Sequence, residues 1–131
     1  PDAPALAAQL AQLCAPASAL EDRLDRVRRW TAEHRFQLGA QLIEGRADAL
    51  VVGRSLADMA DAAIAVLLPA VMDAFAAAHG RIPGADLVVL AYGRHGGRAM
   101  THVSDLDLVF LHTGAADAVS NGPRPLPASQ Y

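Results

Sequence analysis

The pattern of this chain changes near Gly80–Gly84, and that change limits what it can fold into. Before it, apolar residues recur at helical spacing for about 80 residues. After it comes Leu87–Tyr92, a continuous apolar run with valines bounded by Gly84 and Gly93, and then Asp105–His112, where two aspartates open a run of Leu, Val and Phe. Short apolar runs bounded by glycine read as strands. The fold class is therefore α+β and mostly helical, with an N-terminal helical segment followed by the first strands of a sheet. Two strands do not make a stable sheet alone. Either the helices cover them, or the domain is truncated and its sheet continues elsewhere. The expected organisation is a helical segment over 1–84 packing on a second domain, of which 85–131 is the N-terminal, incomplete part.

The helices can be drawn from caps and stripes. Pro4–Ala15 is the first, ended by Pro16. Ser18 caps the second, with Glu21 in capping-box register. Leu20, Leu24, Val27, Trp30, Leu38, Leu42 and Ile43 form its inner face, and Gly45 stops it. The arginines between Arg23 and Arg35 form a solvated face, partly paired with Asp22, Asp25 and Glu33. Ser55 caps the third helix, with Asp58 in the capping-box position. Its stripe runs through Leu56, Ala60, Ala63, Leu67, Val71 and Phe75 to a stop at His79-Gly80, with a kink or a locally loosened turn expected at Pro69. After Gly114 the chain becomes polar and proline-rich, a loop or linker.

Composition removes several function classes. Hydrophobic residues are 53% but aromatics only 5%, so the core is built from small side chains on closely packed helices. A net charge of −3 argues against a general nucleic-acid binder. Cys14 is alone, which excludes an internal disulfide and a cysteine metal cluster. No run of 18 apolar residues occurs, since Ala60–Ala78 carries Asp61 and Asp73, so no membrane span is expected. No signal peptide is visible at the N-terminus, and a cytoplasmic location is expected.

The chemistry sits between Gly93 and Leu111. On a strand, Asp105 and Asp107 point to one face, because residues i and i+2 do. Two carboxylates so placed repel each other, and a Mg²⁺ held by both turns that repulsion into a site suited to phosphoryl or nucleotidyl transfer. A bare Asp-x-Asp more often marks a solvated strand end; here it follows a glycine-rich turn. Gly93, Gly96 and Gly97 let backbone approach a phosphate and offer consecutive N–H groups to it. Arg94 and Arg98 add positive charge against a triphosphate, and Ser104 adds a hydroxyl donor. The glycines fit neither the dinucleotide fingerprint nor the P-loop. His34, His79, His95, His102 and His112 show no ligand-like spacing and read as scattered polar positions, with His95 and His102 flanking the site.

The stretch Tyr92–Leu111, Y-G-R-H-G-G-R-A-M-T-H-V-S-D-L-D-L-V-F-L, resembles the signature of the bifunctional glutamine synthetase adenylyltransferase/adenylyl-removing enzymes, members of the DNA-polymerase-β-like nucleotidyltransferase superfamily. Gly93, Gly96, Gly97, Met100, Ser104, Asp105, Leu106, Asp107 and Leu108 match that pattern. Arg94 replaces its usual lysine, His95 a leucine, and Ala99 a glutamate. The specific likeness covers roughly a sixth of the chain.

The resemblance implies that 85–131 opens a nucleotidyltransferase domain. It implies ATP at Gly93, Arg94, Gly96, Gly97 and Ser104, with Mg²⁺ on Asp105 and Asp107. It implies transfer of AMP from ATP to a tyrosine of glutamine synthetase in nitrogen regulation, with the PII signalling protein as a further partner. A third carboxylate belongs on a later strand, and Asp117 is the only later acid, so the fragment alone is expected to be inactive. The Ser-Asp-Leu-Asp-Leu wording leans toward the transferase half. The alternatives are the phosphorolytic, adenylyl-removing half, or a helical regulatory module with a non-catalytic site.

Overall fold

The computed structural model describes residues 1–17 and 19–131. Three helices come first: α1 Ala3–Cys14, α2 Leu20–Ile43 and α3 Ala49–His79. They are followed by strand β1 Leu87–Ala91, a single helical turn α4 Gly93–Gly96, and strand β2 Leu108–His112. A mostly helical α+β chain is what the periodicity predicts.

Each helix has a local reason for its bounds. Asp2 caps α1, its Oδ1 accepting from the Ala5 N–H at 3.1 Å, and the helix breaks before Pro16. For α2, the expected cap Ser18 lies outside the described residues; Ala19 flanks the helix in extended conformation, and Gly45 ends the turn beyond it at φ 67°. The third helix departs from expectation. It starts at Ala49, because Asp48 and not Ser55 is the cap: Asp48 Oδ1 accepts from the Val51 N–H at 2.8 Å. Val51, Val52 and Gly53 weaken the helical signal locally, and packing on the other helices overrides it. Pro69 lies within the continuous assigned helix.

The core gathers where the helices meet. Leu6, Leu10 and Cys14 of α1, Val27 and Trp30 of α2, and Val52, Leu56, Ala57, Met59, Ala60 and Ala62 of α3 form one cluster, which Met100 joins from the loop after α4. Each large aliphatic side chain buried there is worth about 1.5–3 kcal/mol. The expected stripe on α3 is only half used. Its N-terminal half is buried, whereas Val71 and Phe75 stay partly exposed, since α1 and α2 cover only the first half. By length and composition alone α3 is apolar enough to cross a bilayer, contrary to the expectation of no such helix. Its N-terminal half nevertheless has the packing of a core helix.

The strands pair antiparallel, with Leu87 opposite His112, Val89 opposite Phe110 and Ala91 opposite Leu108. The expected second strand opens at Asp105; the observed one opens at Leu108. The reason is geometric. Its partner β1 turns into α4 at Gly93, so the last bond is Tyr92 N–H to the Asp107 carbonyl at 2.8 Å, and Asp105 has nothing to face. Among the described residues, α1, α2 and α3 do not cover this sheet. Val88, Leu90, Val109 and Leu111, which share one face by register, are 37–50% exposed.

The segment after Gly114 is irregular, as expected, but it is fastened to the end of α3. Gly122 N–H donates to His79 O, Arg124 N–H to Ala78 O, and the Tyr131 hydroxyl to Gly80 O. Gly80 takes φ 74°, and a side chain there would collide with Gly122 backbone.

Candidate active site

The site is assembled by the turn between the strands. Gly93 takes φ 56°, a conformation that favours glycine, and a Cβ there would run into the Asp107 carboxylate. Gly96 sits so close to the Ala91 carbonyl that a Cβ would overlap it. The turn is thus folded back on the end of β1, with the Asp107 side chain over Gly93. Its amides divide into two sets. Those of Gly96 and Gly97 donate to Tyr92 O and Gly93 O at 3.0 Å, so they are not the free donors that a glycine nest would offer. The amides of Gly93, Arg94 and His95, the first turn of α4, have no acceptor among the described residues.

Beside this turn lies a cleft of about 280 Å³ lined by Arg94, Thr101, Val103, Ser104, Asp105 and Asp107. It brings Asp105 and Asp107 to one concave surface, although both precede the strand, so the cleft and not a shared strand face unites them. Both are exposed, and neither forms an ion pair among the described residues. Arg94 faces the same space, also without a carboxylate within ion-pair distance among those residues. The Ser104 hydroxyl accepts from the Thr101 N–H at 2.8 Å and lies 3.0 Å from the Thr101 hydroxyl, which fixes the tight turn leading into Asp105. Two uncompensated carboxylates on an open wall match the oxygen donors that a hard divalent cation takes, with water and phosphate oxygens to complete its shell. Among the described residues, no third acidic, histidine or cysteine side chain joins them.

Two other residues of the turn face away from the cleft. Arg98, expected against the triphosphate, takes φ 53° and turns toward α3. There it donates to Asp61 Oδ2 at 2.9 Å and pairs with Asp58. Its pKa is raised, chiefly by the hydrogen bond to Asp61 and further by the nearby charge of Asp58, against the opposing effect of burial. The His95 side chain, which flanks the site in sequence, turns to α3 as well. It is 2% exposed, with Nε2 at 2.7 Å from Asp61 Oδ1. His102 is held away by the Arg35 carbonyl at 3.0 Å, and His34 and His79 by carbonyls of Trp30 and Arg124. Asp58 and Asp61 carry weight that their sequence context hides. One signal exists: Asp61 is an acid inside the apolar stretch Ala60–Ala78, between the buried Ala60 and Ala62.

A family model described as glutamate-ammonia ligase adenylyltransferase matches residues 1–131, the entire chain. The chain belongs to this family. Bifunctional glutamine synthetase adenylyltransferase/adenylyl-removing enzymes resemble it along its full length. The one from Xanthobacter autotrophicus is 41% identical over 133 residues, and those from Bradyrhizobium sp. strain ORS 278 and Mesorhizobium japonicum are each 39% identical over 132. The chain spans about 13% of the length of each of these relatives.

Proposed function

We propose that this chain contributes the nucleotide-facing turn of an adenylyltransferase of the relatives' length, moving AMP from ATP to a tyrosine hydroxyl of glutamine synthetase. One observation carries the reading: the cleft gathers Asp105, Asp107 and Arg94 around the end of β1. The guanidinium of Arg94, which lines the cleft, would hold the triphosphate by charge-assisted hydrogen bonds. Asp105 and Asp107 would hold Mg²⁺, which when bound offsets the charge of the phosphate oxygens and helps the pyrophosphate depart. The tyrosine oxygen forms a bond to the α-phosphorus, and its phenolic proton passes to solvent water. The bond from that phosphorus to the bridging oxygen breaks, and pyrophosphate leaves with the electron pair.

The relatives' name covers removal as well as addition, and phosphate as the attacking species would run the phosphorolytic reaction at the same kind of cleft. The PII protein enters this reading as a regulator through the family alone. The experiment is AMP incorporation into glutamine synthetase from labelled ATP, using the full-length parent enzyme with and without Asp107→Asn. The variant should lose at least about a hundredfold in rate, since aligned phosphate and metal contacts act in the transition state. A variant as active as its parent would contradict the reading. Phosphate-dependent release of ADP from modified glutamine synthetase, measured with the same pair of proteins, assigns the cleft to addition or removal.

A further inference from the structure

We propose that Asp61 of α3 is a positioning residue, holding the turn α4 through His95 and Arg98 so that Arg94 and Asp107 meet the nucleotide in register. The inference rests on the adenylyl-transfer reading of the cleft and adds a role for a helix residue outside it.

The two oxygens of Asp61 are divided between two residues of the turn. Oδ1 accepts from His95 Nε2 at 2.7 Å, and Oδ2 accepts from Arg98 at 2.9 Å. The His95 side chain is only 1% exposed, and its Nδ1 has no partner among the described residues. A proton on Nε2, donated to the carboxylate, leaves Nδ1 as a bare lone pair, which is less costly than a buried N–H without an acceptor. Without Asp61, the one hydrogen bond of this ring would be gone. Arg98, a non-glycine residue at φ 53°, is kept in that conformation by Asp58 and Asp61 together.

Two further contacts anchor the same segment. Met100 is buried in the helical core, and Gly53 of α3 lets the backbone at Ala99 and Met100 come so close that a Cβ would lie 2.9 Å from the Met100 carbonyl. The helices leave the sheet uncovered, so the cleft is fixed to them at the segment 95–100 on α3 and at His102, which pairs with the Arg35 carbonyl of α2. Arg94 and Arg98 thereby take different tasks. Arg98 is neutralised at α3, and Arg94 keeps its charge for the cleft.

The test uses the full-length enzyme and three variants, Asp61→Asn, Arg98→Gln and the two combined. Asparagine keeps the volume and can still accept from His95, so this variant removes chiefly the charge that holds Arg98. Both single variants should raise KM for ATP about tenfold while kcat and KM for glutamine synthetase change less than about threefold, and the double variant should be no worse than either, as expected of residues acting as a unit. Amide exchange of the 93–99 segment should quicken by a similar factor, a readout that needs no turnover. Unchanged exchange would overturn the tether. Faster exchange, or a lower melting temperature, with KM for ATP unaltered would reduce Asp61 to a structural role and overturn its positioning one. Asp107→Asn, run in parallel, separates the two claims. If it loses transfer while Asp61→Asn keeps a normal KM, only the positioning claim fails; if Asp107→Asn remains active, the transfer reading itself fails.

Discussion

At the scale of single residues, few atoms separate a strand end from the cleft. Asp107 lies over Gly93, and Gly96 lies under the Ala91 carbonyl. These two glycines are needed for different reasons. Gly93 needs its backbone angle as well as its space, whereas Gly96 needs the space alone, because the atom it would strike is backbone and cannot swing aside. Gly96→Ala should therefore displace α4 and cost about 1–3 kcal/mol by overpacking, with a larger proportional loss in nucleotide affinity than in stability. Thermal melting and ATP binding, measured on the same variant, check both parts. Arg98 has its own signature. Its raised pKa, set mainly by the Asp61 hydrogen bond, means that its stabilisation is fully present below the ordinary arginine range and fades only as pH climbs through the still higher folded value. The stability lost in Arg98→Gln should thus be constant between about pH 6 and pH 9 as far as the arginine is concerned. It should shrink with added salt, because the side chain is 42% exposed and screening weakens such a pair. Denaturant melts at several pH values and ionic strengths would show a slope in the neutral range if this were wrong.

At the scale of elements, α3 is the helix that the sequence describes least well and the structure uses most. Its start was hidden by Val51, Val52 and Gly53, residues with weak helical preference that are helical here because Asp48 caps them and the core takes Val52. Asp48→Ala should cost about 1 kcal/mol, the ordinary worth of such a cap; no measurable loss in chemical denaturation would return the start to Ser55. Gly53 sets two effects against each other. Alanine gains about 1 kcal/mol of helix propensity but drives a methyl into the Met100 carbonyl, and overpacking of that kind costs about 1–3 kcal/mol. The second effect wins, so Gly53→Ala should destabilise the protein, with the opposite sign to the usual glycine-to-alanine change in a helix. The strands show the reverse case. Their apolar runs make β1 and β2 legible, but the opening of β2 depends on where its partner ends, a pairing fact that no local pattern carries.

At the scale of the molecule, the helical majority, the change of pattern near Gly84 and the small-residue core with Trp30 inside it could all be read from spacing and composition. So could the convergence of Asp105, Asp107, Arg94 and Ser104, because a motif keeps neighbours together even when the strand assignment shifts by three residues. The division of labour between Arg94 and Arg98, and the part played by Asp58 and Asp61, could not. Those pairings join residues 34–40 positions apart in the chain, and only the packing of α3 against the turn creates them. The uncovered face of Val88, Leu90, Val109 and Leu111 belongs to the same scale, since the α-helices present do not reach it.

The most direct measurement of the central claim is calorimetric binding of a non-hydrolysable ATP analogue to the full-length enzyme, with Mg²⁺ present and absent, for the parent and for Asp105→Asn/Asp107→Asn. The cleft described here predicts binding that tightens when Mg²⁺ is added to the parent and is indifferent to Mg²⁺ in the double variant. Equal tightening by Mg²⁺ in both proteins would contradict it, and would move the cation away from these two aspartates.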